Sequence, residues 1–267
     1  MIDVQGHRGA RGYLPENTLP SFALALEMGV STLELDVAVT RDGVVVIHHD
    51  RGLNPAITRG PDGQWVSQPT PIRSLTFAQL QRYDVGRLRP GSDYARHFPE
   101  QQARDGTRIP RLADLFQLTQ GNRTIRFNIE PKMDESALDE TLPACEFARA
   151  LIGEVRKAGM QNRTTVQAFH WPVLKVVERE APEMPTVYCT EGNGSDAARV
   201  HEAGGKIWSP DYRTLTSTKL AAARQWQMKV TVWTVNEPAD IARMIAMGVD
   251  GIASDYPDRV LNELKGK

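Results

Sequence analysis

The chain has 267 residues, of which 40% are hydrophobic and 24% are charged, and its formal net charge at pH 7 is −1. This balance offers no basic stripe for a nucleic-acid backbone and no polybasic patch for an anionic membrane, so we expect a small-molecule substrate. The length suits one α/β domain of barrel size.

Two further features of the composition bear on location and redox state. No stretch is long and apolar enough to span a bilayer, and the chain begins with strand-like sequence instead of a signal peptide. We therefore expect a cytoplasmic protein without stable membrane insertion, or a periplasmic or secreted one if a signal peptide was removed. Cys145 and Cys189 have no CxxC spacing and are predicted to be buried free thiols.

Short β-rich runs alternate with helical patterns along the chain. The predicted strands are 2–6, 32–39, 44–48, 124–129, 164–169, 186–190, 206–209, 230–235 and 251–254. The predicted helices are 19–28, 112–118, 139–158, 173–180, 218–226 and 238–247. Asn17 or Thr18 can cap the first helix, and Gly29 can end it; for Asn17, capping is favoured over a substrate or metal contact. This alternation predicts a TIM (β/α)8 barrel.

Nine predicted strands are one more than such a barrel needs, and a hairpin explains the excess. The residues around Asp42 and Gly43 are too few for a parallel crossover between the second and third strands. A two-residue Asp-Gly turn would pair these strands antiparallel and place Asp36 opposite His49, with His48 on the other face. We therefore expect a distorted barrel.

The barrel pattern stops between residues 51 and 110. This segment contains turns, arginines and one short helical pattern at 76–83. A long excursion from a strand end of a barrel usually lies over the active-site face. We predict a single domain spanning 1–267 with an insertion at about 51–110.

Glu34, Asp36 and Glu130 form the first group of candidate functional residues. Two acids in one strand are often a solvated face, but Glu34 and Asp36 alternate with aliphatic residues in a strand that a barrel covers on its outer side. Their side chains are therefore expected to point inward. Three converging carboxylates need a cation, and a hard divalent ion such as Mg²⁺ or Ca²⁺ is the natural one.

His7 and His49 form the second group. His7 follows the first strand and precedes a glycine-containing turn, and the predicted register places His49 beside Asp36. Two imidazoles can take up and donate protons near neutral pH. Arg8 and Lys132 lie at strand ends, and Lys132 shares the face of Glu130, where it can meet anionic oxygens.

Several motifs occur in an order that resembles one known family. They are VQGHRGA at 4–10, PENT at 15–18, ELDV at 34–37, the His-Asp pair at 49–50, NIEPK at 128–132, VQAF at 166–169, VWTVN at 232–236 and VDGIASD at 249–255. Over nearly its whole length the chain resembles the glycerophosphodiester phosphodiesterase family of the PLC-like phosphodiesterase superfamily.

The resemblance implies metal-dependent hydrolysis of glycerophosphodiesters to glycerol 3-phosphate and an alcohol. It implies that the three acids bind one divalent ion, Mg²⁺ or Ca²⁺, and that His7 and His49 are the general acid and base. The expected phosphate and substrate contacts are Arg8, Lys132, Glu16, Gln167, Phe169 and Trp233. Ala168 stands where the family motif commonly has serine, which leaves no hydroxyl there for a direct role.

Two other functions are compatible with the same residues. One is a phospholipase-type phosphodiesterase that acts on intact lipid, although the insertion has only scattered aromatic residues for membrane contact. The other is a non-catalytic phosphodiester-binding barrel, which would have no need of a paired acid and base. Attack by water and attack by the 2-hydroxyl of the substrate both remain open. We hypothesise that the insertion contacts the leaving alcohol.

Overall fold

The computed structural model describes residues 2–192 and 196–266. In these ranges the strands are β1 (Asp3–Gly6), β2 (Thr32–Val39), β3 (Val45–Ile47), β4 (Arg126–Pro131), β5 (Thr164–Ala168), β6 (Thr186–Thr190), β7 (Ile207–Pro210), β8 (Lys229–Val232) and β9 (Gly251–Ser254). The α-helices are α1 (Leu19–Met28), α2 (Phe77–Leu80), α3 (Asp93–His97), α4 (Leu112–Leu118), α5 (Ala144–Lys157), α6 (Trp171–Glu180), α7 (Asp196–Glu202), α8 (Ser217–Gln225), α9 (Pro238–Met247) and α10 (Pro257–Lys265).

Eight parallel strands close into a barrel, which confirms the predicted TIM-type fold. The strand order is β1-β9-β8-β7-β6-β5-β4-β2, and β2 returns to β1 through the pairs Gln5–Thr32 and Gly6–Leu33. Every residue of β2 is buried, as expected for a strand whose two faces are both covered. No helix in the described part of the chain is long and apolar enough to cross a membrane.

The ninth strand, β3, lies outside the barrel and pairs antiparallel with β2. The short strand β1 pairs with β2 only as far as Leu33. Further along the same edge of β2, from Val37 to Val39, β3 is the pairing strand. The predicted hairpin is therefore confirmed, and it extends β2 beyond the point where the barrel closes.

The predicted register of this hairpin is wrong by one residue. The Thr40 N–H donates to the Val44 carbonyl at 3.0 Å, so the loop contains three residues, 41–43, instead of two. Gly43 has φ 81°, the left-handed conformation that three-residue hairpin loops require at their last position. An Asp-Gly pair is compatible with both loops, and here the longer one forms.

The shift of register changes which histidine pairs with Asp36. The His48 N–H donates to the Asp36 carbonyl at 3.0 Å, so strand pairing places His48, and not His49, opposite Asp36. The chain leaves the strand after Ile47 and bends at residues 49–51. This bend, and not strand pairing, carries His49 to the mouth of the barrel.

Helix ends also differ from prediction in two places. Thr18, one of the two predicted caps, caps α1, with its Oγ1 accepting from the Ser21 N–H at 3.4 Å, so the capping role favoured for Asn17 is wrong. Helix α5 begins at Ala144 and not at residue 139, because Pro143 disfavours a helical conformation in the residue before it. Helices α3, α7 and α10 were not predicted. Both cysteines are free, but Cys145 is only half-buried.

The insertion has a small hydrophobic core of its own, separate from the main core. Its members are Leu53, Ile72, Leu80, Val85 and Ile109 of the insertion, with Ala38 and Val46 of the hairpin. The insertion therefore packs on the β2–β3 hairpin. The predicted helix at 76–83 is reduced to the single turn of α2.

Gly43 provides a test of the hairpin loop. A Cβ there would meet no atom within 4 Å, so a substitution costs only the strain of a positive φ. We expect Gly43→Ala to lower the free energy of unfolding by about 1 kcal/mol, and Gly43→Asn by less, because asparagine tolerates this conformation. Gly121→Ala is the matched control, since its Cβ also meets open space at an ordinary φ. Urea denaturation measures all three, and wild-type stability of Gly43→Ala would contradict the left-handed conformation of Gly43 in this loop.

Candidate active site

The three predicted acids come together inside the barrel. Asp36 of β2 pairs directly with Glu130 of β4, and Glu34 precedes Asp36 by two residues, so all three side chains share one face. Each offers a carboxylate oxygen, and these oxygens lie within 4.8 Å of one another. The exposed fractions of Glu34, Asp36 and Glu130 are 2%, 1% and 7%.

Electrostatics separates the acids of this cluster. Burial and the neighbouring Asp36 raise the pKa of Glu34 well above its ordinary value. Burial would also raise the pKa of Asp36, but His49 and Arg8 lower it further than burial raises it. The cluster therefore lacks enough positive charge to ionise fully. Three oxygen donors of this kind fit a hard divalent cation, which would supply the missing charge.

Two cations approach the acids from the strand ends. The Arg8 N–H donates to Glu34 Oε2 at 2.9 Å from a left-handed backbone with φ 53°, and Arg8 Nε lies 3.3 Å from Asp36 Oδ2. Lys132 Nζ lies 2.7 Å from Glu130 Oε1 and 3.6 Å from Asp36 Oδ1. Burial lowers the pKa of Lys132, but these two acids raise it more, so the ammonium stays charged.

His7 follows β1 directly and is oriented from the last strand of the barrel. Its Nδ1 lies 2.7 Å from Asp255 Oδ1, and its Nε2 lies 3.9 Å from Glu34 Oε2. Burial and the charge of Arg11 lower the pKa of His7 to about 4, so its imidazole is neutral at pH 7. Asp255 also accepts from Arg11 Nε and from Asn236 Nδ2, both at 2.7 Å.

His49 is held in the same manner. Its Nδ1 lies 2.7 Å from Asp50 Oδ1, while Asp50 Oδ2 accepts from Asn54 Nδ2 at 2.7 Å. Each histidine thus has an aspartate at Nδ1, which leaves Nε2 for chemistry in the site. His48 is buried beside the Asp50 carbonyl, at 3.0 Å, and does not line the cavity.

Glu16 lies behind Arg8 and not in the cavity. Its carboxylate accepts from Arg8 Nη1 at 2.9 Å and from the hydroxyl of Tyr94, a residue of the insertion. The Tyr94 hydroxyl also lies 3.1 Å from Arg11 Nη1. Asn17 precedes the cap of α1, and its side chain points to the acid cluster, where Nδ2 donates to Asp36 Oδ2 at 3.0 Å. These contacts fix the turn that carries His7 and Arg8.

Two adjoining cavities open at the carboxyl ends of the strands. The inner cavity has a volume of about 170 Å³ and is lined by the three acids, His7 and all the other predicted site residues except Glu16. Gln167 Nε2 donates to Glu34 Oε1 at 2.7 Å, and the rings of Phe169 and Trp233 meet edge to face at 5.3 Å. The outer cavity has a volume of about 640 Å³. It shares His49, Glu130, Lys132 and Phe169 with the inner one.

Comparison with known proteins identifies the family. Residues 7–259 match the glycerophosphoryl diester phosphodiesterase family. The chain belongs to this family. A glycerophosphodiester phosphodiesterase of Bacillus subtilis (strain 168) is 29% identical over 97% of this chain and 85% of its own length.

Solved structures agree with this assignment. The crystal structure of a candidate glycerophosphoryl diester phosphodiesterase from Silicibacter pomeroyi DSS-3 has a TM-score of 0.95 and 37% identity, covering 100% of this chain and 94% of its own. A phosphodiesterase of Oleispira antarctica, 22% identical, shares the fold with a TM-score of 0.79 over 98% of this chain and 96% of its own. The protein is therefore an enzyme, a glycerophosphodiester phosphodiesterase.

Sequence reasoning missed several residues of this phosphodiesterase site. Asp255 was identified only as the last residue of the VDGIASD motif, and Arg11, Asn236 and Tyr94 were not singled out. One signal could have identified Asp255. It follows β9 immediately, just as His7 follows the adjacent strand β1, and residues at carboxyl ends of neighbouring barrel strands converge.

Asp255→Asn tests whether Asp255 positions the imidazole of His7. The amide keeps the shape but loses the charge and the acceptor geometry, so we expect kcat to fall by about 10²-fold with little change in KM, because Asp255 does not line the cavity. The control is Asp250→Asn, at the opposite end of β9, where Asp250 binds Arg224 at 2.6 Å. Equal losses of kcat in the two variants would mean that the effect is one of barrel stability.

Proposed function

We propose that this phosphodiesterase hydrolyses glycerophosphodiesters to glycerol 3-phosphate and an alcohol, using one divalent ion held by Glu34, Asp36 and Glu130. The observation that carries the proposal is the buried cluster of three carboxylates beside two histidine–aspartate pairs. The Oleispira antarctica phosphodiesterase was solved with its product sn-glycerol-3-phosphate, which supports the same product here.

The acids and the cations have different roles in binding the phosphate: the acids hold the metal ion, and the cations contact the phosphate oxygens. A divalent ion, Mg²⁺ or Ca²⁺, would polarise the phosphoryl oxygens when bound. Lys132 and Arg8 already border the acid cluster, so their charges are placed to meet the non-bridging oxygens as negative charge develops. The edge-to-face rings of Phe169 and Trp233 can pack on the carbon atoms of the glycerol.

The positions of the histidines favour different roles. His7 lies wholly in the inner cavity and is neutral at pH 7, which suits a general base that accepts the proton of the nucleophile. His49 lines both cavities, which suits a general acid that protonates the oxygen of the departing alcohol. These roles apply equally to attack by water and to attack by the 2-hydroxyl of the substrate.

The metal assignment predicts that chelation abolishes turnover. With glycerophosphocholine as substrate, activity should vanish in EDTA and return when Mg²⁺ or Ca²⁺ is added, because the acid cluster needs the charge of the ion. Calorimetry should show one divalent ion bound to wild type and much weaker binding to Asp36→Asn. Undiminished turnover by exhaustively chelated enzyme would contradict the assignment of the metal site.

The histidine assignment predicts losses of about 10²- to 10⁴-fold in kcat for His7→Ala and for His49→Ala. His48→Ala is the matched control and should lose far less. A p-nitrophenyl ester of glycerol phosphate separates the two roles, because p-nitrophenolate leaves without protonation. The loss in His49→Ala should shrink on this substrate while the loss in His7→Ala persists. The reverse pattern would exchange the roles.

A further inference from the structure

Of the three acids, the outer cavity contacts Glu130 but neither Glu34 nor Asp36, and through Glu130 it reaches the active site. Its walls come from the start of the insertion, at residues 51–71, and from the segment after β4. The shared side chains, with His49 among them, stand at the boundary between the two cavities. A group bound in the outer cavity would therefore lie next to the proposed general acid.

A phosphodiester has two ester arms, and the two cavities differ in what they can hold. The inner cavity, about 170 Å³, is smaller than the usual range of about 300 to 1,000 Å³ for ligand pockets, so it has room for one short arm. The outer cavity, about 640 Å³, lies within that range. A phosphate bound beside the acid cluster and Lys132 would direct its second arm past His49 into the outer cavity.

The outer cavity is lined by three carboxylates, those of Asp50, Glu130 and Glu140, and by the cations Arg51 and Lys132. Arg51 Nε donates to Glu140 Oε2 at 2.8 Å, and Arg51 Nη2 lies 3.6 Å from Oδ2 of Asp134, a residue outside the lining. Glu135 faces His170 at 3.4 Å. Within residues 2–192 and 196–266, the side-chain hydrogen bond of Glu140 uses Oε2, so Oε1 can accept from a ligand. One guanidinium thus faces two carboxylates.

We propose that the outer cavity is the subsite of the leaving alcohol and selects an alcohol with a primary ammonium group, with Glu140 as the specificity-determining residue. This inference rests on the proposed function. A primary ammonium has three N–H donors and a charge opposite to that of Glu140.

Other leaving groups match this cavity less well. A quaternary ammonium has no N–H donor and is usually bound by several aromatic faces, whereas the described lining offers the phenyl ring of Phe169 and neither Trp nor Tyr. A neutral polyol gains less from a carboxylate than an ammonium does. Acyl chains would desolvate Arg51 and Lys132 without compensation, which disfavours intact lipid in this cavity.

The experiment compares kcat/KM for glycerophosphoethanolamine, glycerophosphocholine and glycerophosphoglycerol with the metal-loaded enzyme. We expect the ethanolamine diester to be preferred. In Glu140→Gln, its advantage over the glycerol diester should fall by about fivefold, the effect of one half-exposed ion pair. The matched control is Glu183→Gln, which removes a carboxylate bound to Arg156 at 2.8 Å far from the site and should leave the ranking unchanged.

A binding measurement separates failure of the subsite from failure of the proposed function. Calorimetry with the metal-loaded His7→Ala variant gives the affinity for each diester without turnover. The same ranking, lost when Glu140→Gln is added, supports the subsite. Turnover of all three diesters with a ranking that Glu140→Gln does not alter overturns the subsite and leaves the hydrolase intact. If no diester is turned over and none binds, both the subsite and the proposed function are overturned.

Discussion

Repulsion among three buried carboxylates is the constraint around which this molecule is organised. The β2–β4 ladder sets Asp36 directly beside Glu130, and the period of two brings Glu34 onto the same face. Such a cluster is tolerable only if positive charge surrounds it, and Arg8 and Lys132 provide part of that charge from neighbouring strand ends. In the proposed function the same cations and a divalent ion bind the phosphate, so the features that stabilise the cluster would also serve catalysis.

The sequence was sufficient for those parts of the structure that depend on local pattern. Alternating strands and helices specify the barrel, and the spacing of Glu34 and Asp36 specifies their common face. The hairpin shows where local pattern fails. An Asp-Gly pair fits loops of two or three residues, but a two-residue type I′ turn would also need a positive φ at Asp42, which Asp42 does not have, and the longer loop forms. His49 was predicted beside Asp36 by a register that does not form, and a bend in the chain brings it to the cavity instead.

Other residues escaped prediction because their partners are far away in the sequence. Asp255 is separated from His7 by 248 positions, and Tyr94 is separated from Glu16 by 78. No periodicity links such pairs. Asn17 shows a related ambiguity, since the same amide can cap a helix or bind a carboxylate, and only the fold decides that it binds Asp36.

The distant pairing of His7 with Asp255 makes the proposed chemistry depend on closure of the barrel. The His7 N–H donates to the Ser254 carbonyl at 2.9 Å, so the backbone of His7 continues the β1–β9 pairing that joins the two ends of the barrel. On the other side, β1 meets β2 through only two residue pairs, and the Arg8 N–H extends that seam to the carboxylate of Glu34. The acids belong to β2 and β4, whereas the orientation of His7 comes from β9. Strand β1 therefore connects the two halves of the site. The imidazole of His7 meets the acid cluster only when β1 is paired with β2 on one edge and with β9 on the other.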